Sequence, residues 1–367
     1  MIRLTVSMRV VHVVPTQFGS AGLFGGGERY PLELARALAS ELECELITFG
    51  PRASLARDDT GLTIRVVRSF AALGGHPAHP LAPGLLTALH GADIVHTHHM
   101  RSTPSSMSAV TAQLRGQHIV TTDHGLRGSD WGGLLPRLFE RFLAVSEYSA
   151  RVLGMPHSRV RVIYGGADPK RFSPDPHATR EGVLFVGRIT PHKGVDRAIA
   201  ALPAGATLTI AGSEGHDPHP PERDYPHLLQ RMAAEHDVTF LGPVLDEELP
   251  ALYRRAAVLV LPSVHRTCYG RDMEISELLG LVVLEAMASG TPVVCSALGG
   301  LCEVVHHGET GFLVEPGNVD ELRERLTELL ENRPLARRMG ENARARALER
   351  FTWEACADRC LSAYDEL

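Results

Sequence analysis

At 367 residues, with 44% hydrophobic and 22% charged residues, the chain has the balance of a globular protein and exceeds what one core ordinarily supports, so two domains are expected. A formal net charge of -6, with no basic run of five residues, argues against a general nucleic-acid binder. No stretch approaches the ~20 apolar residues that span a bilayer, no charged-then-apolar leader opens the chain, and Cys44, Cys268, Cys295, Cys302, Cys356 and Cys360 lack paired spacing; a reducing, cytoplasmic setting is the expectation.

In chain order, short apolar strands alternate with amphipathic helices, the signature of parallel α/β sheets. Arg9–Val14 reads as a buried strand, followed by the glycine-rich stretch Gly19–Gly27 and a helix over Glu28–Leu42 with an apolar stripe at Leu32, Leu34, Ala35, Leu38 and Ala39. Strands follow at 45–49, 64–67, 94–97, 119–122, 142–145 and 160–163. The tract Tyr164–Pro176, rich in Gly, Pro and Asp, reads as a linker. A second series then runs: strand 183–186, helix 195–202, strands 207–211, 238–241 and 258–261, helix 281–289, strands 292–295 and 312–314. Helices close the chain at 320–331, 336–349 and 353–366. Two consecutive doubly wound sheets can turn their strand carboxyl ends toward a shared cleft, where such folds bind ligands.

The most informative tract is Glu277-Leu-Leu-Gly280-Leu281-Val282-Val-Leu-Glu285-Ala-Met-Ala-Ser-Gly290-Thr-Pro292. Gly290 and Pro292 stop a helix that Gly280 starts, so the amides of Leu281 and Val282 fall in a first turn without internal partners, a ready diphosphate site. Glu285 lies about a turn further in, able to accept hydrogen bonds from ribose hydroxyls. Glu277 precedes the helix on a loop, where it can hold hydroxyls of a transferred sugar. The bland alternative is a charged loop residue beside a helix-start Glu favoured by the dipole. A second constellation, Phe185-Val186-Gly187-Arg188-Ile-Thr-Pro-His-Lys193-Gly194, runs a strand into a loop with two cations five residues apart, suited to phosphate oxygens. Two solvated loop cations are the alternative. Gly26 and Gly27, before Glu28, permit close backbone approach, but the dinucleotide fingerprint fails because its third glycine would fall on Tyr30.

Among 19 histidines, His96, His98, His99 and His124 stand out at or past strand ends, His124 being the best placed for a sugar. Zinc at His96, His98 and His99 is disfavoured, because no Cys or acidic ligand has supporting spacing and adjacent strand residues point to opposite faces. Asp58-Asp59 reads as a surface turn. Trp131–Leu143 reads as core-packed, with a peripheral lipid contact as the alternative.

The whole chain resembles the GT-B glycosyltransferases of family 4. The resemblance lies in GGGERYPLELARAL, TTDHG, LAVSEYSARVL, VGRITPHKGVDRAIAAL, IAGSEG, VTFLGPV, VLVLPS and ELLGLVVLEAMASGTPVVCSALGGLCEVVHHGETGFLVEPGN. It implies an α/β GT-B fold of two Rossmann-like doubly wound domains facing a central cleft: an acceptor-side domain at 1–166, with 351–367 packing back on it, and a donor domain at 167–350. It also implies that Arg188 and Lys193 bind a donor diphosphate, with the amides around Gly280, Leu281 and Val282 contacting the donor. Glu285 would hold the ribose, Glu277 the donor sugar, Gly26 and Gly27 the cleft wall, and His124 a place near the transferred sugar. His124, Glu277, Arg188 and Lys193 are thereby the candidate catalytic groups. The implied activity is retaining transfer of a hexose-type sugar from a UDP-, GDP- or ADP-linked donor to an unidentified acceptor hydroxyl on a glycan, lipid or small glycoside, with no metal or other cofactor. The sequence departs from the family at Tyr164-Gly-Gly-Ala-Asp168, at Cys302, and in the lengthened loop 263–276, which can shape donor-sugar choice. The competing readings are a nucleotide-sugar epimerase of the same fold and a catalytically silent nucleotide-sugar-binding subunit. Nothing in the sequence bears on oligomeric state.

Overall fold

A computed structural model describes residues 8–15, 26–125, 129–215, 220–275 and 277–367. The chain divides into two compact units, Met1–Gly165 with Trp353–Leu367, and Gly166–Thr352. Phe351 and Thr352 stay with the second unit: the Ala167 amide donates to the Phe351 carbonyl at 2.9 Å, and Ala167 bridges to Thr352. The expected return at residue 351 therefore begins two residues later.

The first unit contains strands β1 (Arg9–Val13), β2 (Glu43–Gly50), β3 (Ser54–Arg57) and β4 (Thr63–Arg68), and a ribbon of β5 (Ala71–Ala72) and β6 (Pro80–Leu81). Strands β7 (Ile94–His98), β8 (His118–Thr122), β9 (Arg141–Ala144) and β10 (Val160–Val162) follow. Its main sheet has the order β10-β9-β8-β7-β1-β2-β4-β3. Pairing is parallel except at the edge, where β3 runs antiparallel to β4. All four side chains of β3 are exposed, so no apolar run betrays that strand. The turn after it is held by Asp58, whose Oδ1 accepts from the Thr60 and Leu62 amides at 3.0 and 3.2 Å. Central strands are buried on both faces, as parallel sheets covered by helices require.

The helix expected at Glu28–Leu42 spans Gly26–Leu38, burying Tyr30, Leu34, Ala35 and Leu38. It stops at Leu38 because the Leu38 carbonyl takes the amides of both Glu41 and Leu42 in a turn that delivers Glu43 to β2. Gly19–Gly25 lies outside the described residues. The closing helix Trp353–Tyr364 packs on this unit: Trp353 meets Tyr30 edge-on at 5.2 Å, and the Tyr30 hydroxyl approaches Cys356 Sγ at 3.4 Å. Within Trp131–Leu143 the one helical element is a short 3₁₀ turn at Leu135–Leu138, and residues 141–143 already belong to β9. Leu135, Phe139 and Phe142 are buried while Trp131 and Leu134 are exposed, a core-packed arrangement without a continuous apolar helical face.

The second unit is a parallel sheet of β11 (Glu181–Val186), β12 (Thr207–Ala211), β13 (Asp237–Gly242), β14 (Ala256–Leu261), β15 (Val293–Ser296) and β16 (Gly311–Val314). Its order is β13-β12-β11-β14-β15-β16. Both sheets are therefore doubly wound, and strand order reverses next to the first strand of each: between β1 and β7, and between β11 and β14. The carboxyl ends of strands at such a reversal leave a crevice between diverging loops. Among the described residues no helix is long and apolar enough to cross a membrane, and all six cysteines are free.

Candidate active site

In the second unit the reversal point lies where β11 runs into the Gly187–Gly194 loop and β14 into Pro262–Ser263. The two loops are stitched together: the Val264 amide donates to the His192 carbonyl at 2.9 Å. Gly194 sits at φ 72°, and a Cβ there would lie 2.0 Å from the Pro262 carbonyl oxygen, so no other residue allows this approach. The contact brings Lys193, at the end of a 3₁₀ turn (Pro191–Lys193), against the tract ahead of helix Leu281–Ala288. Lys193 Nζ meets Glu277 Oε1 at 2.6 Å, and Ser263 Oγ donates to the same oxygen at 2.6 Å. Glu277 is 5% exposed and Lys193 16%. Both bonds fall on Oε1, so Oε2 carries no hydrogen bond to another described residue. An ammonium has three donors, so Lys193 can hold Glu277 and still reach anionic oxygens.

Gly280 caps the helix at φ 95°, and a Cβ there would come within 2.5 Å of Leu301 Cδ2. No side chain caps this end, and among the described residues the amides of Leu281 and Val282 have no partner, the Gly280 carbonyl taking Val283 and Leu284 instead. Such a helix start attracts anions. Glu285 is 2% exposed, and its Oε2 accepts from the Tyr253 hydroxyl at 2.8 Å. Arg188 is exposed and has no ion-pair partner among the described residues. Burial, with the positive charges of Lys193, Arg188 and Arg271 adding to it, pushes the His192 imidazole down to about 3. The lengthened loop 263–276 folds back on itself through the Thr267 amide and Arg271 carbonyl (2.9 Å), and Arg271 grips the buried Glu222 carboxylate bidentately at 2.7 and 2.6 Å. Arg188, Lys193, Glu277, Gly280, Leu281, Val282 and Glu285 all belong to this unit. Ser263, which the sequence named only as the start of the lengthened loop, and Tyr253, on the helix Leu249–Arg255 and not singled out by the sequence, join it through their bonds to Glu277 and Glu285.

The reversal point of the first unit is built from imidazoles. His12 on β1 pairs in register with His96 on β7, and His98 lies two residues on, on the same face. Strand alternation therefore does not separate His96 from His98, and it does not apply to His99, which lies past the end of β7 and packs on His124, as His98 does. His12 Nδ1 and His98 Nε2 are 3.1 Å apart, and His98 Nδ1 and His124 Nε2 3.2 Å. His96 spends both nitrogens elsewhere, Nδ1 on the Tyr364 hydroxyl at 2.6 Å and Nε2 on Thr122 Oγ1 at 2.7 Å. Ligand atoms of His12, His96 and His98 lie within 4.8 Å of one another, yet an ion there would have to displace one of those bonds. Burial lowers His12 to about 3 and His99 to about 4, and holds His96, His98 and His124 well below the ordinary imidazole value. His99 adopts φ 64°, outside the usual range for a side-chain-bearing residue, and its ring lies 3.6 Å from where a Cβ of Gly27 would be. Gly26 and Gly27 open the Gly26–Leu38 helix beside this cluster.

Two family signatures divide the chain: the glycosyltransferase family 4 description matches residues 24–171, and that of group 1 glycosyl transferases residues 167–346. The chain belongs to this glycosyltransferase family. An uncharacterized glycosyltransferase of Methanocaldococcus jannaschii is 32% identical over 241 residues, covering 60% of this chain and 57% of the relative. The GDP-mannose-dependent alpha-(1-6)-phosphatidylinositol monomannoside mannosyltransferase of Mycobacterium tuberculosis is 34% identical over 224 residues, covering 55% and 54%. The chain spans about half the length of the curated relatives it matches. Among solved structures, Anabaena HepE in complex with UDP-glucose is 21% identical, with a TM-score of 0.76 over 98% of this chain and 100% of that one. That likeness shows the fold, which is GT-B: two Rossmann-like α/β domains.

Proposed function

We propose that this glycosyltransferase-family chain moves a hexose-type sugar from a nucleoside-diphosphate donor to an acceptor hydroxyl with retention at the anomeric carbon. The observation that carries the reading is the Lys193–Glu277–Ser263 cluster beside a helix start whose first amides are unpartnered, all at the topological reversal of one sheet. A diphosphate fits the Leu281 and Val282 amides together with Lys193 and the exposed Arg188. Glu285, steadied by Tyr253, has the acceptor oxygens a ribose diol requires, and Oε2 of Glu277 suits a hydroxyl of the sugar. Gly26, Gly27 and His124 serve the transferred sugar in this proposal. The names of relatives mention GDP-mannose and UDP-glucose, which supports a nucleotide-sugar donor and leaves the base open.

The chemistry follows from charge. As the bond from the anomeric carbon to phosphate oxygen breaks, the diphosphate gains negative charge, which fixed cations and amides stabilise more than they stabilise the intact donor. The acceptor oxygen forms its new bond on the same face, and its proton passes to the departing phosphate oxygen. Neither Glu277 nor Glu285 is needed as a base. Lys193 and Arg188 supply the positive field that a metal supplies elsewhere, so turnover is expected to survive EDTA.

UDP-, GDP- and ADP-sugars are to be screened for protection against thermal unfolding, since a bound ligand stabilises the native state by mass action. One donor class should protect, and Arg188→Ala and Glu285→Ala should each remove the protection while retaining the fold. Unchanged nucleotide affinity in both variants sinks the site. Binding without transfer to any acceptor would instead favour a silent subunit.

A further inference from the structure

We propose that His12 and His98 are positioning residues that set the tautomer of His124, so that His124 presents an Nδ1–H donor to the transferred sugar. The inference rests on the proposed function for His124 and deepens it. Three rings form a chain of two hydrogen bonds, His12 Nδ1 to His98 Nε2 (3.1 Å) and His98 Nδ1 to His124 Nε2 (3.2 Å). A neutral imidazole carries one proton on one nitrogen, so the direction of one bond dictates the other. If protons point toward His124, His12 donates from Nδ1, His98 accepts at Nε2 and donates from Nδ1, and His124 accepts at Nε2. His124 then keeps its own proton on Nδ1. If they point the other way, His124 donates from Nε2 and His12 must carry its proton on Nε2.

The blind end of the chain decides between them. His12 Nε2 is buried and, among the described residues, has no hydrogen-bond partner. Orphaned buried N–H groups are rarer than under-satisfied acceptors. The bare lone pair at His12 Nε2 is thus the less costly defect, and the chain runs from His12 to His124. His96 stacks on His98 at 4.5 Å but does not compete, since Tyr364 and Thr122 occupy both its nitrogens. The ring of His124 is boxed in by Tyr30, edge-on at 4.9 Å, and by His99 at 5.0 Å. The consequence at the surface of the cluster is a choice between donor and acceptor. With Nδ1 protonated, His124 gives a hydrogen bond to a sugar hydroxyl oxygen; with the reverse tautomer it could only receive one.

The test is long-range proton–nitrogen correlation on the full chain labelled with ¹⁵N in its imidazoles, the His124 signals being assigned by their loss in His124→Gln. The wild type should show His124 protonated at Nδ1 and bare at Nε2. His98→Leu removes the donor, and His124 should shift toward the Nε2–H form. Transfer should then fall about tenfold, the worth of one neutral hydrogen bond, with nucleotide affinity unchanged by calorimetry. His98→Asn places an amide N–H where Nδ1–H stood and should restore both tautomer and rate. A wild-type His124 protonated at Nε2 overturns the proposal, as does a folded His98→Leu variant with an unaltered tautomer. Should His98→Leu fail to fold, the wild-type and His98→Asn spectra decide alone. Failure of every nucleotide sugar to bind would remove the proposed function and leave the tautomer result standing.

Discussion

Between β1 and β7 of the first unit, the side chains at the strand reversal are imidazoles that burial keeps neutral. Between β11 and β14 of the second, the corresponding place holds an ammonium, a carboxylate and, nearby, an exposed guanidinium. The reversal beside the first strand is the same in both, and so is the reason it gathers loops. What differs is the chemistry the loops carry: directional hydrogen bonding without charge in one, fixed charge in the other. A diphosphate needs the second kind of surface, and a sugar, which is uncharged, is well matched by the first.

Changes that strip charge from the second unit should act most strongly. Glu277→Ala leaves the Lys193 ammonium largely buried and unpaired, and losing one partner of such a pair typically costs about 3–5 kcal/mol. Chemical denaturation of the variant should show that loss, and an unchanged midpoint would mean the pair is incidental. Arg188→Ala, by contrast, touches no ion pair among the described residues, so stability should hold. Its transfer rate should fall about 100-fold if the guanidinium stabilises the leaving diphosphate. Steady-state kinetics on a protecting donor would read this.

The first unit should instead be exposed by acid. His12 and His99 titrate at about 3 and about 4 when folded against 6.5 when unfolded, burial being the cause. Unfolded imidazoles therefore take up protons first as the pH drops. Their contribution is intact above pH 6.5 and is lost toward pH 4, at a slope of about 1.4 kcal/mol per pH unit for each ring kept neutral. The melting temperature should therefore fall as the pH is lowered from 7.5 to 4.5, and His12→Leu should lessen that fall; a pH-independent melting temperature contradicts the neutral cluster. The smallest effect expected is that of Tyr253→Phe. Removing one hydrogen bond from buried Glu285 should cost about 1–3 kcal/mol, seen as weaker nucleotide binding in calorimetry with an intact fold.

Much of this was legible in one dimension. The alternation of short valine-rich runs with apolar stripes at helical spacing located most strands of both sheets, because strands buried on two faces read as short continuous apolar runs. The glycine before Leu281 and the glycine–proline pair after Ser289 delimited a helix to within a residue, because those residue types restrict the backbone locally. Edge strand β3 was missed, since its exposed side chains need no apolar pattern. The end of the first helix was misjudged because a turn at Ala39–Leu42, and not a breaker residue, ends it.

The amino-acid order alone indicated the α/β class and the two-part division, which follow from local backbone preference and periodicity, while the candidate glutamates and cations were named from their charge and from the family resemblance. Only the tertiary structure decided which of them meet. Ser263 and Lys193 converge on one oxygen of Glu277, and His12, distant in the chain, joins His98 and His124. Those encounters depend on strand order and register, and neither quantity is encoded by any short stretch of residues.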